Sequence, residues 1–205
     1  MTRSSQERKS LHEFAAKNFP RNLKSKYSWL NKGEQLIRGA EVLLKTSRKA
    51  IMKRDELIEK QGEVRSDTPE WVEIKNHDLH EQASMLLAYG LENFFKGLWV
   101  AQNQNNIQNP DQLPSDIDGH TLSGLATKVN IDLNDKERRA LQILTEYAVW
   151  RGRYPLPKRS NQQKESMASP NNIHFIAGEY PYNEDWPNEI YSIVDKIKKE
   201  FDCIS

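Results

Sequence analysis

One cysteine, Cys203, occurs in 205 residues. No intrachain disulfide can form, so the fold must be held by packing, as suits a reducing compartment. No apolar run approaches the ~20 residues that a membrane helix needs. The N-terminal residues are polar and lack the apolar stretch of a signal peptide. Together these absences predict a soluble, cytoplasmic protein with no membrane association. The phosphate-binding glycine loop, the Gly-x-Ser-x-Gly elbow, the paired-cysteine zinc pattern and the dinucleotide fingerprint are also missing. No cofactor and no metal site is expected. No alternating strand pattern and no solenoid-length repeat occurs, which leaves helices.

What is present is length and charge. The chain is long enough to bury a core without metal or disulfide staples. Net charge is only +1, but it is unevenly spread. Residues 1–60 carry 15 Lys plus Arg against 7 Asp plus Glu. Such a basic front end either approaches phosphate or an acidic partner, or is simply a solvated helix face.

Helical period dominates. Trp29, Gly33, Leu36, Ile37, Ala40, Leu43, Leu44, Ser47 and Ile51 recur at three- and four-residue steps, which predicts a long helix over 29–62. Before it, residues 5–19 read as a short amphipathic helix with Leu11, Phe14 and Ala15 inside, ended by Pro20. Asp67 or Thr68, Pro69 and Glu70 mark another start. The helix that follows reaches Gln102, as one piece or as two. Its core face is Ala83, Leu86, Leu87, Gly90, Leu91, Phe94, Leu98 and Trp99, with Gly90 placed for close approach of a neighbour. Residues 103–118 form a loop. A short helix after His120 turns Leu122, Leu125 and Val129 inward. Asn134 and Glu137 make a capping-box start for the next helix, lined by Leu141, Leu144, Tyr147 and Ala148. Residues 156–182 are an irregular excursion with a short extended piece at Ile173–Ile176. A final helix follows, with Ile190, Ile193, Val194, Ile197 and Phe201 on one face. The expected architecture is one all-α domain, an up-and-down bundle: a basic extension over 1–28, a core over 29–155, the excursion, and a C-terminal helix over 183–203.

Three segments place polar groups beside apolar faces. Glu92 and Lys96 stand four apart, either as a surface ion pair or at a groove edge where Lys96 could hold phosphate oxygen. Gly119-His120-Thr121-Leu122 opens a helix, and His120 there is a packing residue, a ligand contact or a proton-transfer group. Tyr147 through Trp150-Arg151-Gly152-Arg153-Tyr154-Pro155 ends a helix. Arg151 and Arg153 either close its carbonyls or fork onto phosphate, and Tyr147 and Tyr154 either pack or stack on bases. His77, His80 and Glu81 share a face but lack further ligands, which reads as solvated.

In content and order these segments, Leu86 to Trp99 with its Gly-Leu-Glu-x-x-x-Lys core, Gly119-His120-x-Leu122, and the Arg-Tyr-Pro ending, resemble the HEPN domains. The resemblance implies an up-and-down helical bundle, usually a homodimer. Many members are metal-independent ribonucleases of toxin–antitoxin, CRISPR-associated and phage-defence systems. Others are inactive, bind nucleotides or RNA, or accompany a nucleotidyltransferase. HEPN ribonucleases carry an Arg followed, after four to six intervening residues, by a His near the final bundle helix. None of His12, His77, His80, His120 and His174 has an Arg at that distance, so the usual acid–base pair is absent. Three expectations follow. The first is a non-catalytic nucleotide- or RNA-binding module using Glu92, Lys96, His120, Tyr147, Arg151, Arg153 and Tyr154. The second is a ribonuclease with His120 in place of the missing histidine. The third is a helical dimerisation protein with no small ligand.

Overall fold

Helix after helix in this chain is built from one of two signals, an apolar stripe or a polar end. The computed structural model describes residues 14, 17–62, 68–69, 72–74, 79–109, 111–151 and 186–204, with the side chains of residues 51, 61, 150, 151, 186 and 187 outside that description. The fold is all-α, and no strand occurs among the described residues. The helices are α1 (Lys26–Gln61), α2 (His80–Gln102), α3 (Leu122–Lys128), α4 (Asp135–Glu146) and α5 (Trp186–Cys203). No helix among the described residues is long and apolar enough to cross a membrane. Residues 156–182, with the extended piece expected in them, lie outside the described residues, as do Leu11 and Ala15.

The chain forms two compact units, 1–33 with 91–142 and 184–205, and 34–90 with 143–183. In the first, the beginning of α1 is set by capping. Ser28 N–H donates to Ser25 Oγ at 3.3 Å, and the Trp29 indole donates to the Leu23 carbonyl at 2.9 Å. This break at Ser25 corrects the expected end at Pro20, because the preceding helix continues through Pro20 to Lys24. Proline already holds a helical φ, so residues after it can stay helical. Phe14 is 68% exposed, not inside as its spacing suggested.

The expected capping box is present. Asn134 N–H donates to Glu137 Oε2 at 2.8 Å, and Glu137 N–H donates to Asn134 Oδ1 at 2.9 Å. The same fully buried Glu137 reaches α5, accepting from Ser192 Oγ at 2.8 Å and Lys196 Nζ at 2.7 Å. Burial pushes its pKa up, but the donors from Lys196, Asn134 and Ser192 and the Lys196 charge outweigh burial, so the pKa falls below the usual carboxylate value. α3 ends in a left-handed Asn130, φ 58°, with Ile131 N–H reaching back to the Ala126 carbonyl. That is a Schellman closure with asparagine in the glycine position.

From Leu91 onward α2 is buried on every side. Leu91, Glu92, Phe94, Phe95, Lys96, Leu98 and Val100 are all buried. A helix enclosed all round is a central helix. Gly97 makes that enclosure possible. A Cβ there would stand 2.5 Å from Trp29 Cβ and 3.2 Å from the Phe201 ring. A close approach of the kind expected at Gly90 is seen at Gly97, two turns further along the same face.

In the second unit, the α1 stripe is inward at Ile37, Ala40, Ser47 and Ala50. Ser47 has a task in that stripe: its Oγ accepts from Leu79 N–H at 2.7 Å, just before α2 begins at His80. An orphan donor at a helix start is thereby satisfied. Leu79 is non-helical while Val72–Ile74 are helical, so the span expected to reach Gln102 is two pieces. α1 ends at Gly62, whose φ of 78° suits glycine alone, with its N–H on the Ile58 carbonyl.

Gly97→Ala gains helix propensity but drives a methyl into Trp29. Overpacking of this kind costs about 1–3 kcal/mol. The variant is expected to lose about 1–2 kcal/mol net in urea unfolding, and unchanged or raised stability would contradict the packing described.

Candidate functional site

Three of the seven candidate residues meet in the first unit. Glu92 and Lys96 lie one turn apart on α2, and Lys96 Nζ stands 2.8 Å from Glu92 Oε1. The Glu92 side chain is 9% exposed and that of Lys96 5%. They are therefore a buried pair, which corrects both the surface ion pair and the groove edge expected from spacing. The reason is the enclosure of α2: with apolar neighbours on every face, no water-facing side remains for the two charges.

The second carboxylate oxygen is taken from another direction. His120 Nδ1 lies 2.9 Å from Glu92 Oε2. Because an ionised carboxylate only accepts, Nδ1 carries the proton in this contact. The His120 side chain is 51% exposed. One carboxylate thus holds a buried ammonium on one oxygen and a half-exposed imidazole on the other. Nε2 is the nitrogen left to meet solvent or a ligand.

The loop that delivers His120 is anchored on both sides. Ile107 and Ile117 are buried. Lys128 Nζ donates to the Asp116 carbonyl, and Gln102 Nε2 donates to the Val129 carbonyl at 3.4 Å. Leu125 N–H bonds the Thr121 carbonyl at 3.0 Å, starting α3 one residue after the histidine's neighbour. Gly119 was expected to free the backbone here. It has no left-handed φ, and a Cβ would meet nothing within 4 Å, so no steric need for glycine exists.

The other candidates belong to the second unit or lie outside the described residues. Tyr147 belongs to the second unit and is buried, edge-on to His80 with ring centroids 6.2 Å apart. It begins a π turn, Tyr147–Arg151, whose Ala148 carbonyl accepts from the Tyr89 hydroxyl at 3.2 Å. Single π turns are rare and recur at functional positions. Arg151 contributes only its backbone to the description. Arg153 and Tyr154 lie outside the described residues.

His80 is a correction too. It was expected on a solvated face, but it is 4% exposed. Burial lowers its pKa from 6.5 to about 3. Its expected companion Glu81 is exposed, and His77 lies outside the described residues. No group of three or more His, Cys, Asp or Glu converges on a metal position among the described residues. The burial of Glu92 and Lys96 had a signal in the sequence: from Ala83 to Ala101 they are the only charged residues. Nothing comparable marked His80.

Comparison of the chain with protein-family profiles, with curated proteins and with solved structures gave no match.

Two outcomes follow from the buried groups. Removing one partner of a buried pair leaves an uncompensated charge, so Lys96→Ala is expected to cost about 3–5 kcal/mol in chemical denaturation. The double change Glu92→Gln with Lys96→Met recovers part of that loss, and a cost for Lys96→Ala under about 1 kcal/mol would place the pair in solvent. For His80 the folded state favours the neutral ring. Its stabilising contribution is complete above pH 6.5 and is lost progressively as pH falls toward 3. Proton NMR should find the His80 ring still neutral at about pH 5, whereas a midpoint at the ordinary histidine value would refute its burial.

Proposed function

We propose that this chain is a HEPN-like helical module that binds a nucleotide or RNA without cleaving it. The observation that carries the reading is the Glu92 carboxylate shared by Lys96 and His120. Those three residues lie in the Gly-Leu-Glu-x-x-x-Lys and Gly-His-x-Leu segments on which the resemblance rests. The chemistry supports it further. A buried carboxylate that pins Nδ1 orients the imidazole, and the protonated ring can donate from Nε2 to a phosphate oxygen. From the sequence, Arg151 and Arg153 offer further phosphate forks and Tyr154 a stacking ring; Tyr147, its ring buried against His80, offers no stacking face. The HEPN reading extends to a homodimer, to a nucleotidyltransferase partner, and to a toxin–antitoxin or phage-defence setting.

One feature favours a second reading, a metal-independent ribonuclease. An imidazole oriented by a carboxylate through Nδ1 is also the arrangement of a general base. His120 would then fill the role left empty by the missing Arg–His spacing. Binding without cleavage is preferred because that spacing is absent at every histidine.

Titration of labelled RNA and of ATP against the full chain is the test. Wild type should bind, His120→Ala and Arg153→Ala should each weaken binding about fivefold to tenfold, or ~1–1.4 kcal/mol, and total RNA incubated without metal should stay intact. Equal affinities for wild type and both variants would remove the binding reading. Cleavage that His120→Ala abolishes would establish the ribonuclease instead.

A further inference from the structure

The outward face of α1 carries a pattern that the ligand site does not use. Between Glu41 and Asp55 the sequence holds five cations, Lys45, Arg48, Lys49, Lys53 and Arg54, and no carboxylate. Lys53 is engaged by Glu73 and Arg54 by Asp55. Lys45, Arg48 and Lys49 are exposed.

Two large apolar side chains share that face. Val42 is 66% exposed and Met52 59%. Arg38, Val42, Lys45, Lys49 and Met52 follow one another at steps of four, three, four and three residues. This is the spacing of a helix–helix seam, and all five are exposed. The opposite stripe of the same helix, with Ile37, Ala40, Ser47 and Ala50, is the one buried in the core. The seam runs about 15 Å from Val42 to Met52, or some three turns.

We infer that this face of α1 docks an acidic amphipathic helix of another protein, with Asp or Glu opposite Lys45 and Lys49 and aliphatic residues opposite Val42 and Met52. Charge complementarity selects this occupant. A second copy of α1 running parallel would set each lysine against its own equivalent. Running antiparallel about Ser47, it would match Val42 with Met52 and Arg38 with Glu56. It would also set Lys45 against Lys49 twice at the centre of the seam, and like charges there are repelled. A phosphate backbone would use the lysines but gains nothing from the exposed valine and methionine. An acidic helix with apolar flanks uses all four. The lysines then specify the partner, as charged residues within a seam do.

The test uses the full chain and a synthetic helical peptide of about six turns, ~21 residues. It carries Leu at the two seam positions facing Val42 and Met52, Glu at the two facing Lys45 and Lys49, and Ala and Gln elsewhere. By fluorescence anisotropy the wild type should bind it. Lys45→Glu with Lys49→Glu should weaken binding at least tenfold, and a peptide with Lys at those two seam positions should bind the reversed variant and not the wild type. Circular dichroism checks that the variants stay folded, and Lys45→Gln with Lys49→Gln, expected to weaken binding threefold or more, serves if the reversal does not fold. Absence of peptide binding, or binding indifferent to both variants, overturns the inference. So does loss of labelled single-stranded RNA binding in the reversed variant with peptide binding unchanged, which would assign the face to nucleic acid. Dimerisation induced by Lys45→Glu alone in sedimentation would assign it to a second copy and equally overturn it. Peptide binding and sedimentation do not depend on His120 or Arg153, so failure of this inference is separable from failure of the ligand-binding reading.

Discussion

The C-terminal half of α2 is enclosed on every side, and the arrangement of the first unit follows from that constraint. An enclosed helix has no face on which a charge can be hydrated, so each charge on it must find its partner in the protein. Glu92 and Lys96 meet the requirement for each other, and His120 arrives from a distant loop to take the second oxygen. Enclosure also demands that neighbours approach closely. Gly97 meets that demand by presenting no side chain to Trp29 and Phe201. Pairing and close approach are thus two consequences of one packing condition.

Other polar groups among the described residues complete the ends of helices. Ser47 accepts the orphan N–H of Leu79 ahead of α2. Glu137 closes the start of α4 and, with its remaining capacity, ties that start to Ser192 and Lys196 of α5. Asn130 closes α3. These groups meet the backbone accounting that any helical fold must satisfy. The Glu92 cluster is different in kind. It closes no helix end, it sits mid-helix, and it leads from a fully buried ammonium to a half-exposed imidazole. A buried charge pair adds little net stability over apolar packing, so its presence is better explained by what it does to His120.

The exposed face of α1 shows the reverse situation. Its inner stripe is consumed by the core, while its outer stripe holds apolar and basic side chains at seam spacing with water as their neighbour. The two faces of one long helix therefore differ, the inner one packed in the core and the outer one the proposed docking face.

Local periodicity and end chemistry were readable along the chain. The stripe through Ile37, Ala40 and Ser47, the inward faces of α3, α4 and α5, and the Asn134–Glu137 box all depend on residues a few positions apart. Their geometry is set by the helical repeat and by the orphan groups at helix ends. Elsewhere reading along the chain went astray. Phe14 is expected inside, Glu92 and Lys96 at a surface or a groove edge, and His80 on a solvated face. For Glu92 and for His80 the deciding fact is what stands opposite the residue, and that neighbour comes from a remote part of the chain: His120 against Glu92, Tyr147 against His80. The sequence by itself determined which stretches are helices and most of the faces they turn inward, because the 3.6-residue repeat is a local property. Only the tertiary structure decided that α2 is enclosed all round, and with it that a pair of charges four residues apart would be buried and would orient a histidine.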